Sequence, residues 1–201
     1  MREPQVVIPV KAFAAAKARL ADRLDSDRRA TLARLMAEHV ISAAAGLDRL
    51  VVCDDDDVDA WATALGVTVH RSDGLDLNAS VRSAFDHARD AGSSRVLVVH
   101  ADLPFACDLD RLVDVAAVEA VLAPDRHSDG SNCLSVPTDV DFRFQYGPSS
   151  AAAHTAEAHR VGLVVRTIDD ARLAWDVDVP ADLDPPPELG TLPHLQIDAS
   201  T

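Results

Sequence analysis

Residues 95–104 read RVLVVHADLP, and no other stretch of this chain limits its fold as much. Val96, Leu97, Val98 and Val99 form an unbroken apolar run, the mark of a strand buried on both faces. The run stops at Asp102. Pro104 biases Leu103 away from helix, so the chain turns there. A carboxylate is thereby set at the carboxyl end of a central strand, the edge at which open α/β sheets bind their ligands. Asp102 could equally serve only to cap the turn, and the rest of the chain must decide.

The rest of the chain repeats a β-α-β rhythm. Residues 6–10 and 49–53 read as buried strands. Between them Ser26 can cap a helix whose apolar positions are Leu32, Leu35, Met36, Val40 and Ile41. A short helix ended by Gly66 and a strand at 67–70 come next. A helix over 78–91 buries Val81, Ala84, Phe85 and Ala88, and Gly92 stops it. After the strand ending at Asp102, residues 108–116 read as helix and 120–123 as strand. A loop over 124–131, a strand at 133–136, a helix at 149–160, a strand at 162–167 and a short helix at 180–183 complete the order. This predicts an α/β fold: one three-layer αβα domain over 1–184 with a mostly parallel sheet. Pro185, Pro186 and Pro187 end it, and 185–201 reads as a loose tail.

The chain has 201 residues, enough for one domain with a core. Hydrophobic residues make up 48% and aromatic ones only 4%, so Ala, Val and Leu pack the layers. A net charge of −14 argues against a nucleic-acid surface, because a phosphate backbone would be repelled. It also demands metal ions or well-placed cations wherever the protein handles a phosphate. Cys53, Cys107 and Cys133 are odd in number and form no CxxC pair, which fits a reducing compartment. No signal peptide and no apolar run of membrane-spanning length is visible, so the expectation is a cytoplasmic protein without a membrane partner. A homodimer is allowed, but no patch in the sequence argues for it.

Several residues can carry chemistry. Lys11, Lys17 and Arg19 follow the first strand, where nucleotide-binding α/β folds meet phosphates; ordinary solvated basic residues are the alternative. The acidic run at 54–57 can cap the next helix, with Asp54 nearest the strand end and able to face a ligand. Residues 74–80, GLDLNAS, place Gly74 in a loop and Asn78 and Ser80 at a helix start. That start suits capping as well as phosphate or hydroxyl contacts. In 175–180, WDVDVP, the alternation puts Asp176 and Asp178 on one face. With Asp102 nearby they would make a divalent site, since Mg²⁺ takes one or two carboxylates and leaves the rest to water and phosphate. The loops 124–133 and 146–150 are dense in Gly, Ser, Asn and Asp, and Ser149 and Ser150 open a helix, a place for an anion. His127 and His154 read as surface or capping residues.

Together these pieces resemble one family, the guanylyltransferases that make the phosphodiester precursor of the deazaflavin coenzyme F420. The matching pieces are IPVKAFAAAKARL at 8–20, GLDLNAS at 74–80, HADLP at 100–104, PDRHSDGSN at 124–132, YGPSS at 146–150 and DVDVPADL at 176–183. They occur in order and span about residues 5–184. The resemblance implies a Rossmann-like nucleotidyltransferase fold. The substrates it implies are GTP and a small phosphorylated carboxylic acid, phosphoenolpyruvate or 2-phospho-L-lactate. Asp102 and Asp176 would hold Mg²⁺ with Asp178 as helper. Lys11 and Lys17 would meet the GTP phosphates, and Ser131, Gly147 and Ser150 would bind the acceptor. The chain departs from the family's Gly-Thr-Gly-Thr at Ser128-Asp129-Gly130-Ser131, from its Gly or Asp at Ser149, and from its frequent aromatic at Ala151. Two rivals stand beside this reading. A metal-dependent nucleotide-sugar transferase would turn over a nucleotide sugar and not GTP. A non-catalytic acidic binding module would tolerate loss of the strand-end aspartates.

Overall fold

The structure is a computed structural model that describes residues 3–192. Seven strands form one sheet: β1 (Gln5–Pro9), β2 (Asp48–Cys53), β3 (Thr68–Arg71), β4 (Arg95–Val99), β5 (Glu119–Pro124), β6 (Ser131–Pro137) and β7 (Val164–Thr167). The spatial order is β3-β2-β1-β4-β6-β5-β7. β1, β2, β3 and β4 run parallel, as do β5 and β7. β6 is antiparallel to both of its neighbours. The helices are α1 (Ser26–Ala43), α2 (Asp56–Ala64), α3 (Leu77–Asp90), α4 (Ser150–Arg160) and the short α5 (Ala171–Ala174).

The predicted three layers follow from the pleat of β4, whose five residues are all buried. Leu97 and Val99 join Ala37, Val40 and Ile41 of α1 in one core. Val96 and Val98 join Val81, Phe85 and Phe142 in the other. A strand with apolar side chains on both sides needs helices on both sides.

Some expectations need correction. Asp25, not Ser26, caps α1: its carboxylate accepts the Arg28 N–H at 2.8 Å, and Ser26 is the first helical residue. Likewise Asp76 rather than Asn78 caps α3, accepting the Ala79 N–H at 2.9 Å. Asp55 caps α2, as expected of the acidic run. The helix expected over 108–116 contracts to a 3-10 turn, Leu109–Leu112. Asp108 enters it in the left-handed region, and the Val113 N–H bonds back only three residues, to Asp110. After the short helix Pro180–Leu183, a second 3-10 turn spans Pro187–Leu189, and Leu192 is buried in a cluster with Leu20, Met36 and Val177. The remainder of the expected tail, 193–201, lies outside the described residues. No helix among the described residues is long and apolar enough to cross a membrane.

Candidate active site

The chain runs from β1 outward to β2 and β3, and α3 then carries it back to lay β4 on the other side of β1. Crossovers therefore diverge between β1 and β4, and the crevice at their carboxyl ends is the topological switch point of the sheet. A cavity of about 450 Å³ opens there, lined among others by Pro9, Lys11, Lys17, His100, Asp102 and Asp178. That volume suits a small-molecule ligand.

Lys17 is its centre. The residue sits at φ 54°, in the left-handed region, between the 3-10 turns Phe13–Ala15 and Ala18–Leu20. Its ammonium donates to Asp102 Oδ2 at 2.6 Å and to Asp178 Oδ1 at 3.1 Å. Burial opposes the charge on Lys17, but the two carboxylates outweigh it and its pKa rises. Burial likewise opposes ionisation of Asp102, and the Lys17 ammonium outweighs that, so the carboxyl falls below its usual range. Both groups are charged at neutral pH. Asp178 also lies 3.9 Å from the Arg19 guanidinium.

The segment 176–178 docks against the end of β4 through Val177, which is fully buried and donates its N–H to the Asp102 carbonyl at 3.2 Å. Arg126 and Asp182 hold it in place. The Arg126 guanidinium lies 4.5 Å over the Trp175 ring, donates to the Asp176 carbonyl at 3.0 Å and pairs with Asp182. The other Asp182 oxygen accepts the N–H groups of Asp178 at 2.6 Å and Val179 at 2.7 Å. Sequence reasoning missed both residues. Asp182 carried a signal, since a carboxylate just after Pro180 is placed to accept the N–H groups that open its turn.

Asp176 is pushed up to about 6, first by burial and then by the neighbouring Asp102 and Asp178 charges. Asp102 Oδ1 is buried and has no hydrogen-bond partner. Among the described residues no three His, Cys, Asp or Glu side chains converge as a ready metal cage. Asp178 faces Lys17 and Arg19. An orphaned carboxylate oxygen beside a second, destabilised carboxylate still fits a hard cation that needs only one or two protein ligands.

Of the other expected nucleotide contacts, Asp54 is exposed at the end of β2 and Gly74 forms a turn at φ 75°. Ser80 is buried in the first turn of α3. None of these lines the cavity, nor does Asn78; Leu77 is the α3 residue that does. Asn78 is spent on Tyr146: its Nδ2 donates to the Tyr146 carbonyl at 3.1 Å and its Oδ1 accepts the Tyr146 N–H at 2.6 Å.

The expected acceptor residues do come together. Ser131 and Ser150 are buried, with their hydroxyls 3.4 Å apart, and the Ser150 N–H donates to the Gly147 carbonyl at 3.1 Å. His154, one helical turn beyond Ser150 on the same face of α4, is buried beneath them. Its Nε2 accepts the Gln145 N–H at 2.9 Å, so in the neutral ring Nδ1 carries the proton and donates to Ser131 Oγ at 2.9 Å. Burial lowers its pKa to about 4, which keeps the ring neutral. The i,i+4 spacing from Ser150 was the signal for this residue. The departures at Asp129 and Ser149 answer each other: Asp129 Oδ1 accepts the Ser149 N–H at 3.1 Å and lies 3.2 Å from its hydroxyl, and the Asp129 carbonyl accepts the Ala151 N–H.

A mostly parallel sheet with a crevice at its switch point is a Rossmann-like α/β fold, and solved structures share it. A putative nucleotide-diphospho-sugar transferase from Desulfovibrio desulfuricans G20 superposes with a TM-score of 0.71 at 21% identity, covering 91% of this chain and 85% of the other. The CTP complex of CMP:2-keto-3-deoxy-manno-octonic acid synthetase superposes at 0.60 with 13% identity, over 90% and 95% of the two chains. Those likenesses bear on fold alone. Residues 4–185 match the family model described as "Guanylyl transferase CofC like", and the chain belongs to that family. Among its relatives, phosphoenolpyruvate guanylyltransferase of Sphaerobacter thermophilus is 36% identical over 185 residues, 89% of each chain. The 2-phospho-L-lactate guanylyltransferase of Methanothermobacter thermautotrophicus is 34% identical over 184 residues, 88% of this chain and 81% of its own.

Proposed function

We propose that this protein transfers GMP from GTP to the phosphate of phosphoenolpyruvate or 2-phospho-L-lactate and releases pyrophosphate, a step toward coenzyme F420. The observation that carries the reading is the Lys17–Asp102–Asp178 centre in a cavity at the switch point of a sheet of this family. A phosphate oxygen of the acceptor attacks the α-phosphorus of GTP in line. The bond from that phosphorus to the bridging oxygen breaks, and pyrophosphate leaves with the electron pair. The attacking phosphate is already ionised at neutral pH, so no general base is required.

Lys11 and Lys17 face the triphosphate and stabilise the departing charge. Asp102 and Asp176 would hold Mg²⁺, which when bound neutralises charge on the α-phosphate and the leaving group. Ser131 and Ser150, braced by His154, position the acceptor. The cytoplasm, where GTP and phosphorylated acids are abundant, is the matching location.

The test is pyrophosphate release with Mg²⁺ and GTP, offering phosphoenolpyruvate, 2-phospholactate and 3-phosphoglycerate separately. Release with one of the first two is the expected result. Silence from folded protein with all three refutes the reaction.

A further inference from the structure

Tyr146 Oη and His100 Nε2 are buried without a hydrogen-bond partner, as is Asp102 Oδ1 close by. The Tyr146 ring lies 5.2 Å from the His100 ring, which lines the cavity, and 4.7 Å from the His154 ring, which bonds Ser131. The Tyr146 ring is thus held between His100 of the cavity wall and His154, which bonds Ser131. Its position is fixed: both backbone polar groups of Tyr146 are bonded to Asn78, and the next residue is Gly147, which leads to Ser150. Phenylalanine would fill the same space without burying an unbonded hydroxyl, and an unmade buried hydrogen bond is costly. A partner supplied by the bound acceptor would remove that cost.

We infer that the Tyr146 hydroxyl, with His100 beside it, is a specificity-determining contact for the acceptor and donates to an anionic oxygen of the phosphorylated acid. The inference rests on the reading above that Ser131, Gly147 and Ser150 bind that acceptor. Burial, and to a lesser degree Cys133, pushes the phenol well above its ordinary range, so it is a donor at neutral pH. The hydroxyl is covered, as are Ser131 and Ser150.

Tyr146→Phe removes one oxygen and nothing else. The melting temperature should hold or rise. KM for GTP should be unchanged, while KM for phosphoenolpyruvate or 2-phospholactate should rise about tenfold or more, as for loss of one hydrogen bond to a charged group. An unchanged acceptor KM, or equal rises for acceptor and GTP, overturns the inference. A parallel titration of each acceptor into protein holding α,β-methylene-GTP separates this failure from failure of the proposed reaction. If wild type binds an acceptor tightly and the variant about tenfold more weakly, the inference stands even without turnover. If the two bind equally, or wild type binds neither, it falls.

Discussion

Replacing Asp182 with Asn isolates what holds the acidic segment beside β4. The Asp182 side chain is 2% exposed, and each of its oxygens is spoken for: one faces Arg126, the other two backbone N–H groups at 2.6 and 2.7 Å. Asparagine has one acceptor where aspartate has two. Whichever way the amide turns, its NH₂ meets either the guanidinium or the two N–H groups, so donor faces donor. Breaking one side of a buried ion pair costs about 3–5 kcal/mol. Arg126 is 24% exposed and keeps its contacts to Asp176, which favours the lower end, about 3 kcal/mol. For a chain of this size each kcal/mol moves the melting temperature by roughly 2–4 °C, so Asp182→Asn should melt about 6–12 °C lower. Turnover should fall as well, because Asp176 and Asp178 lose their anchor. Thermal unfolding of wild type, Asp182→Asn, Arg126→Met and the double variant, run as a cycle, reads the coupling directly. A single variant within about 2 °C of wild type would show that these bonds contribute nothing net, and that Val177 packing alone fixes the segment.

Two further outcomes follow from the same geometry. Asp102→Asn preserves shape and an acceptor for Lys17, so circular dichroism should be unchanged while pyrophosphate release drops at least about a hundredfold; retained turnover refutes the role given to this carboxylate. His154 adds acid sensitivity. Its pKa falls from 6.5 unfolded to about 4 folded, so the unfolded chain binds the extra proton. Stability is then complete above pH 6.5 and declines as pH falls toward 4, by up to about 3 kcal/mol in total. His154→Gln should flatten that slope in urea titrations at pH 7, 5.5 and 4.5, and an unchanged slope would place the acid sensitivity elsewhere.

How much of this was legible depended on how local each cause is. β4 could be read because a strand buried on both faces carries a continuous apolar run, here Val96 to Val99, and nothing distant changes that. Helix starts were legible only to within a residue or two. Ser26 and Asn78 were read as caps, and the carboxylates of Asp25 and Asp76, one and two residues earlier, accept the capping N–H groups instead. Asn78 lost the cap because Tyr146, 68 residues on, claims its amide. The reversed direction of β6 was not legible, since an apolar run looks alike in either orientation.

The site divides the same way. Asp102 stands just beyond the end of β4, so that strand announces it, and Lys17 was read from the basic stretch that follows β1, whereas Arg126, His154 and Asp182 act through partners far off in sequence. The charge problem posed by a net −14 is also answered only in three dimensions. At the sheet edge the Asp102 and Asp178 charges reach Asp176, and a nearly buried lysine 85 residues from Asp102 lies between Asp102 and Asp178. Without that ammonium, Asp102 would face both burial and repulsion, as Asp176 still does at about 6. The left-handed turn at Lys17 is the local strain that delivers the charge. A cation is therefore a condition for this acidic edge to form, and the loop after β1 supplies it from within the chain.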